Sequence, residues 1–366
     1  MSTDNTSVAT TTVDTQILDF IHNPEGKDFD TLALAVFAYQ FRYNLPYQRF
    51  CLTRSQTPET VTRWQDIPAV PTVAFKELDL TCGPPEKIFL TSGTTRGQEK
   101  RGRHLMPNLN LYHTSALTHF AACLLPDNQR LRMLALIPSP DVLPTSSLTQ
   151  MAEWIMRELG AQGSEYFIDA TGVHLEAFAD AVARAQGEGT PVCVLALTSA
   201  LVAFFDWCEA HGRHFALPWG SRVMDTGGNK GRGRVISRNG VLLSCWKYLK
   251  VAGYYCVNEY GMTEMASQFY DNVLRNRFRQ SNEPRYKIAP PWVRTLVVDP
   301  ETLAEVPPGR TGLLRHFDLA NCGSVMAIQT DDLGHTTGAG FEIIGRIPGA
   351  ETRGCALMLD EFLAAQ

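Results

Sequence analysis

Two short strings in this chain carry the residue types that handle a nucleotide. Thr91-Ser92-Gly93-Thr94-Thr95 follows the apolar run Lys87-Ile88-Phe89-Leu90, so it leaves a strand end with backbone N–H groups and hydroxyls turned outward, the arrangement of a phosphate cradle. Lys100 and Arg101 stand just beyond it and supply positive charge for a polyphosphate. The second string, Asn258-Glu259-Tyr260-Gly261-Met262-Thr263-Glu264, follows the strand-like run Tyr254-Tyr255-Cys256-Val257. It offers an aromatic ring, a hydroxyl and a carboxylate, the groups that a purine, a phosphate and a magnesium ion require. A Ser/Thr/Gly string taken singly is also an ordinary polar turn, so the two strings carry weight as a pair. The Walker spacing G-x4-G-K-S/T is absent both here and at Gly227-Gly228-Asn229-Lys230-Gly231, which argues against phosphoryl transfer of that class.

A larger frame must position these strings. Short apolar runs at 88–90, 133–137, 165–168, 192–197 and 222–225 alternate with amphipathic stretches at 109–124, 148–159, 175–185 and 201–211. That alternation predicts an α/β fold whose body, residues 13–290, is a large, mostly parallel sheet covered by helices. The rhythm changes near Pro290. Strand-like runs at 292–298, 312–317, 325–329 and 341–344, with no long helix between them, predict a small β-rich C-terminal subdomain over 291–366. Helical spacing over 13–43, interrupted by Asn23-Pro24-Glu25-Gly26, gives two helices. Residues 1–12 are polar, threonine-rich and without apolar periodicity, so a disordered start is expected.

Composition narrows the setting. A chain of 366 residues can bury a large core without staples. Charged residues make up 19% and the net charge is −5 without long runs, which disfavours nucleic acid as a partner. The nine cysteines are an odd number with no CxxC pair, and no charged–apolar–small leader precedes them; free thiols in a reducing cytoplasm are expected. The apolar stretch 192–207 is broken by Thr198, Ser199 and Asp206, so no membrane span is expected.

Taken together, the two strings resemble the signatures of the adenylate-forming superfamily of acyl-CoA synthetases, aryl ligases and acyl-protein synthetases, S/T-S-G-S/T-T-G-x-P-K-G followed by Y-G-x-T-E. The resemblance implies ATP and Mg2+ as cofactors. It implies that Thr91, Ser92, Gly93, Thr94 and Thr95 grip the β- and γ-phosphates, that Tyr260 packs on adenine with Gly261 beside it, that Thr263 meets the α-phosphate, and that Glu264 binds magnesium. Thr330-Asp331-Asp332-Leu333-Gly334 resembles the superfamily's T-G-D motif, which makes Asp332 the ligand of the ribose hydroxyls. Gly345-Arg346 matches the hinge dipeptide and puts Arg346 on the nucleotide side. Gly227-Gly228 falls where the superfamily places a glycine-rich wall between nucleotide and acyl group.

Within the superfamily, the short chain, Glu259-Tyr260-Gly261-Met262-Thr263-Glu264 with Gln268-Phe269-Tyr270 behind it, and Pro138-Ser139 with Ser146-Ser147-Leu148 resemble acyl-protein synthetases of the LuxE type. That implies a carboxylic acid substrate, a fatty acid, activated as acyl-AMP with release of pyrophosphate. The acyl group then passes to a cysteine near the C-terminus and on to an acyl-accepting reductase, synthase or carrier protein. Arg353-Gly354-Cys355 matches that position, with Arg353 favouring the thiolate; a small buried hydrophobe is the other reading of Cys355. Transfer to coenzyme A or a carrier protein, and a catalytically degenerate binding subunit, are the alternatives.

The chain departs from the superfamily pattern in two places. Arg96 stands where glycine is usual, so Gly97-Gln98-Glu99-Lys100 is the G-x-P-K run displaced by one, with Lys100 as its lysine. No full lid domain follows Arg346, and with it the lysine that stabilises the attacking carboxylate is absent; Lys230, Lys247 and Lys250 are the candidates to replace it. Cys208, His211 and His214 have helical spacing but no fourth metal ligand nearby. Gly231-Arg232-Gly233 lacks the third glycine of a dinucleotide fingerprint. No G-x-S-x-G string occurs, so Ser139, Ser146 and Ser147 are read as lining an acyl tunnel. Trp154, Phe204, Phe205 and Trp207 are read as core.

Overall fold

The computed structural model describes residues 4–91, 101–227, 236–346 and 362–365, with side chains from residue 12 onward. The chain divides into two units: Met1–Thr118 with Gly261–Gln268 and Lys287–Gln366, and His119–Tyr260 with Phe269–Tyr286. The strands after Lys287 therefore group with the N-terminal residues, whereas the periodicity alone suggested a division near Pro290.

The second unit is the parallel part of the fold. Arg222–Thr226 runs parallel between Val192–Leu197 and Cys256–Tyr260, and Arg132–Leu136 and Glu165–Tyr166 continue the parallel order. Phe269–Asp271 joins Cys256–Tyr260 antiparallel. Residues 192–196 are fully buried, as an unbroken apolar strand covered on both faces must be. The helix Ser147–Glu158 starts at Ser146, whose Oγ accepts the Thr149 N–H at 3.4 Å, an N-cap. The hydroxyl of Ser146 thus accepts a backbone N–H at the start of this helix. Leu175–Glu188 ends at Gly189, which takes a left-handed φ of 64° that a Cβ would disfavour. Thr198–Ala210 buries Phe204 edge-on to Phe178 at 4.7 Å and 86°, a contact worth about 0.5–1.5 kcal/mol beyond area burial. Trp154 and Phe205 are likewise buried and Trp207 is half-buried. Arg222 is fully enclosed, yet its guanidinium makes a two-pronged pair with Asp127 at 2.8 and 3.0 Å and donates to Leu124 O at 2.7 Å, the pairing that a buried charge requires.

In the first unit, helices Asp4–His22, Phe29–Tyr43 and Leu45–Thr53 lead the chain. The first helix runs from Asp4; once Ile17, Phe20 and Ile21 are buried, extending the nucleated helix adds a hydrogen bond per residue without a new nucleation cost. Asn44 serves two helices. It caps the C-terminus of Phe29–Tyr43, its side chain accepts the Tyr47 N–H at 3.3 Å, and its amide donates to Ser324 O at 3.1 Å. Val293–Val298, Gly312–Asp318, Ala327–Thr337 and Gly340–Arg346 form an antiparallel meander, joined by Lys287–Ile288 and, in parallel, by Val70–Pro71. This is the β-rich character expected after Pro290. Lys87–Leu90, expected among the parallel strands, instead pairs antiparallel with Arg103–Met106 as a separate ribbon. Its two arms are the ends of the loop at 91–102, so the loop closes a hairpin. Among the described residues no helix is long and apolar enough to cross a membrane.

Candidate functional site

The ribbon sets the base of the first string. Thr91 N–H donates to Gly102 O at 2.9 Å, and Gly102 N–H donates to Thr91 Oγ1 at 2.9 Å. Arg101 lays its guanidinium on Thr91 O at 2.6 Å and Leu90 O at 3.2 Å. Thr91 and Arg101 thus tie the neck of the loop. A Cβ on Gly102 would stand 2.9 Å from Thr91 Cγ2, so the glycine is there for close approach. Ser92, Gly93, Thr94, Thr95 and Lys100 lie outside the described residues, as do Gly228, Lys230 and Cys355.

Thr263 and Glu264 sit on Gly261–Gln268, a segment of the first unit held through its backbone. His104 is fully buried, and burial pushes its pKa down to about 4, outweighing the bond to Thr263. The ring is neutral with one N–H, and because Nδ1 lies 2.6 Å from Thr263 O, a carbonyl that can only accept, that proton is on Nδ1. Asn321 Nδ2 donates to Glu264 O at 2.8 Å. Asp318 accepts Ala266 N–H at 3.0 Å and the Ser267 hydroxyl at 2.7 Å. With that proton committed, Ser115 must donate to Ser267 Oγ at 2.9 Å, and Trp292 Nε1 bridges both hydroxyls at 3.0 and 3.1 Å. Thr263 and Glu264 remain half-exposed above this buried network. Asp332 and Arg346 face each other across neighbouring strands and pair at 2.9 Å, so the structure brings together the expected ribose ligand and the hinge arginine.

In the second unit, Gly227 and Tyr260 end two adjacent parallel strands, with Thr226 in register with Glu259. This is the carboxyl edge of a parallel sheet, where α/β folds bind ligands. Gly227 has φ +79°, and among the described residues a Cβ there would meet nothing within 4 Å, so the backbone angle calls for glycine. Its carbonyl accepts the Thr198 hydroxyl at 2.8 Å. Tyr260 is half-buried, with its ring 5.6 Å from that of Phe269. Beneath this edge lies a buried charge network. Asp225 accepts from Asn258 at 3.0 Å and pairs with Arg238; Asp271 pairs with Arg238 and Arg285 and accepts the Asn258 N–H at 3.0 Å. Two carboxylates against two half-buried guanidiniums leave no net charge, which makes burial of Asp225 and Asp271 tolerable.

His104, Asn321, Asp318 and the Asp225–Asp271 network were not anticipated. One signal was available: a carboxylate at or next to the end of a buried strand, as in Arg222–Thr226 and Gly312–Asp318. Other candidates are used elsewhere. Lys247 pairs with Glu209 at 2.5 Å, Lys250 lies 5.2 Å from the Trp246 ring centroid, and His211 and His214 turn Nδ1 to the carbonyls of Trp207 and Lys247. Among the described residues no cluster of three metal-ligating side chains occurs. Magnesium in nucleotide sites needs none, since it is held by one or two carboxylates plus substrate phosphates, and the half-exposed carboxylate of Glu264 fits that mode.

The sequence profile of the family described as "Acyl-protein synthetase, LuxE" matches residues 3–364. The chain is similar to the long-chain-fatty-acid–luciferin-component ligases of Aliivibrio fischeri, at 22% identity over 348 residues covering 90% of this chain and 87% of the relative, and of Vibrio harveyi, at 22% over 343 residues with the same coverage. Its fold is similar to that of 2-hydroxyisobutyryl-CoA ligase. An open conformation of that enzyme bound to 2-HIB-AMP and CoA matches with a TM-score of 0.62 at 15% identity, covering 87% of this chain and 70% of the ligase, and a postadenylation state matches at 0.61 and 16%, covering 87% and 68%.

Proposed function

Because the chain belongs to the LuxE acyl-protein synthetase family, a family of ligases, we propose that it activates a fatty acid with ATP and passes the acyl group to a thiol, that of Cys355 in the same chain. A carboxylate oxygen attacks the α-phosphorus, the bond from that phosphorus to the bridging oxygen breaks, and pyrophosphate leaves. The acyl carbon of the resulting mixed anhydride carries AMP as a good leaving group. A thiolate attacks it, the C–S bond forms, the C–O bond to AMP breaks, and the thiol proton has gone to solvent.

The residues divide the work. Tyr260 with Gly261 receives the adenine face, Asp332 accepts the ribose hydroxyls with Arg346 beside it, and Thr91 to Thr95 and Lys100 take the outer phosphates. Thr263 donates to the α-phosphate, and Gly227-Gly228 separate nucleotide from acyl chain. Glu264 would hold a magnesium ion, which supplies charge neutralisation at the phosphates. The observation that carries the reading is the state of Thr263 and Glu264: half-exposed side chains on a segment whose backbone is anchored in buried groups. Donors aimed in advance at developing charge are each worth on the order of 3 kcal/mol of barrier.

Pyrophosphate–ATP exchange across a panel of fatty acids tests the first step, and absence of exchange with every acid sinks the reading. Mass spectrometry after incubation with ATP, Mg2+ and acid tests the second. An acyl adduct that hydroxylamine removes and that Cys355→Ala abolishes is expected; exchange without any adduct assigns the acyl group to a separate thiol.

A further inference from the structure

Three groups from two separate stretches of the first unit converge on residues 263–267. His104, on the strand Arg103–Met106, gives its Nδ1–H to Thr263 O at 2.6 Å. Asn321, in the turn Leu319–Asn321, gives one amide hydrogen to Glu264 O at 2.8 Å and the other to Val325 O at 2.8 Å. Asp318, which ends the strand Gly312–Asp318, takes Ala266 N–H at 3.0 Å and Ser267 Oγ–H at 2.7 Å, and is itself fixed by Ala320 N–H at 3.0 Å. All three side chains are buried.

Every one of these bonds to residues 263–266 goes to the backbone, so the grip sets the position of Thr263 and Glu264 without occupying their side chains. The direction of each bond is forced. A carbonyl can only accept, so a donor must face Thr263 O and Glu264 O; an N–H can only donate, so an acceptor must face Ala266. In a buried setting none of these can be exchanged for a group of the wrong polarity without leaving an unpaired polar atom.

We propose that His104, Asn321 and Asp318 are positioning residues that clamp the backbone of residues 263–267 and thereby fix where the Thr263 hydroxyl and the Glu264 carboxylate stand during adenylation. This rests on the adenylation reading above. A displacement of about 1 Å of a group aimed at the reacting phosphate costs up to roughly 100-fold in rate, so loss of one clamp bond is read in turnover rather than in acid binding.

The test uses the full chain with His104→Leu, His104→Asn and Asn321→Leu. Asparagine returns an N–H near the position of Nδ1, so His104→Asn is the rescue, and Asn321→Leu carries the same comparison if His104→Leu does not fold. Two readouts are taken: amide hydrogen exchange of the peptide covering Gly261–Gln268, and pyrophosphate–ATP exchange resolved into kcat, KM for the acid and Mg2+ dependence. In the leucine variants, protection of that peptide should fall by roughly tenfold or more, kcat by about 10–100-fold with the acid KM within about twofold, and half-saturation by Mg2+ should rise. His104→Asn should keep both readouts near wild type. Unchanged protection in a folded leucine variant overturns the clamp, and lost protection with unchanged kcat overturns its role in adenylation. A wild-type chain that shows no exchange with any acid, while the leucine variants lose protection, refutes the adenylation reading and leaves the clamp standing.

Discussion

Thr91→Val separates the two duties open to Thr91. The substitution keeps the shape of the side chain and removes the oxygen that Gly102 N–H reaches at 2.9 Å, while the reverse bond from Thr91 N–H to Gly102 O stays. Gly102 is buried, and a buried donor left unpaired costs about 1–3 kcal/mol. Because Arg101 still grips the carbonyls of Thr91 and Leu90, the loss should fall at the low end, roughly 1–2 kcal/mol. In a folding unit of this size that lowers Tm by about 3–6 °C, and the loosened neck raises KM for ATP. Thr91→Ser, which keeps the oxygen, should do neither. The geometry also predicts coupling. A Cβ at Gly102 meets Thr91 Cγ2 at 2.9 Å and Oγ1 at 3.3 Å, so Gly102→Ala overpacks the neck by about 1–3 kcal/mol, and Thr91→Ser, by deleting that methyl, should return about 1 kcal/mol of it. Differential scanning calorimetry of Thr91→Val and of the four proteins in this cycle measures both effects. Thr91→Val with wild-type Tm but a raised ATP KM would show a hydroxyl spent on phosphate alone and refute the neck; additive Tm changes for Thr91→Ser and Gly102→Ala would refute the packing.

Gly227→Ala should cost about 1–2 kcal/mol, the strain of a Cβ at φ +79°, and Gly227→Asn, which tolerates that region, should recover most of it; urea denaturation of both variants checks the order. His316 is buried and its pKa is pushed down to about 3 by loss of solvent, against the opposing field of Asp332. A depressed histidine stabilises the fold above its unfolded pKa of about 6.5 and loses that contribution on acidification, because the unfolded chain takes the proton first, at about 1.4 kcal/mol per pH unit between roughly pH 6 and 3. His316→Gln should flatten the acid limb of stability against pH by that slope, and an unchanged limb would refute the assignment.

Periodicity made the long elements legible. The runs at 192–197 and 222–225 became Val192–Leu197 and Arg222–Thr226, and the predicted helix at 109–124 became Leu109–Leu124, because a strand buried on both faces and an amphipathic helix each impose a repeat. The strand at Lys87–Leu90 was legible as a strand but not by its partner. Its four residues pair with Arg103–Met106 across a polar loop, and no repeat reports which neighbour a short strand takes. The helix Arg238–Leu249 escaped notice because its exposed Leu243 and Trp246 blur the apolar stripe.

The same contrast runs through the candidate site, and it separates two kinds of information. Tyr260, Thr263, Glu264 and Asp332 could be picked out as candidates because the strings that carry them resemble, in order, the motifs of adenylate-forming enzymes, and chain order is what a sequence displays. His104, Asn321 and Asp318 answer a different demand, an acceptor for one N–H and donors for two carbonyls, and any residue of the right polarity at the right place meets it. Such residues have no fixed spacing from the motif they hold: His104 and Asn321 stand 159 and 57 residues from their partners. Their position is set by which strand and turn the fold brings under the segment. It follows that replacing a clamp residue by another of equal hydrogen-bonding polarity should be tolerated where replacing Thr263 or Glu264 is not, and His104→Asn set against Glu264→Gln in the exchange assay puts that difference into numbers.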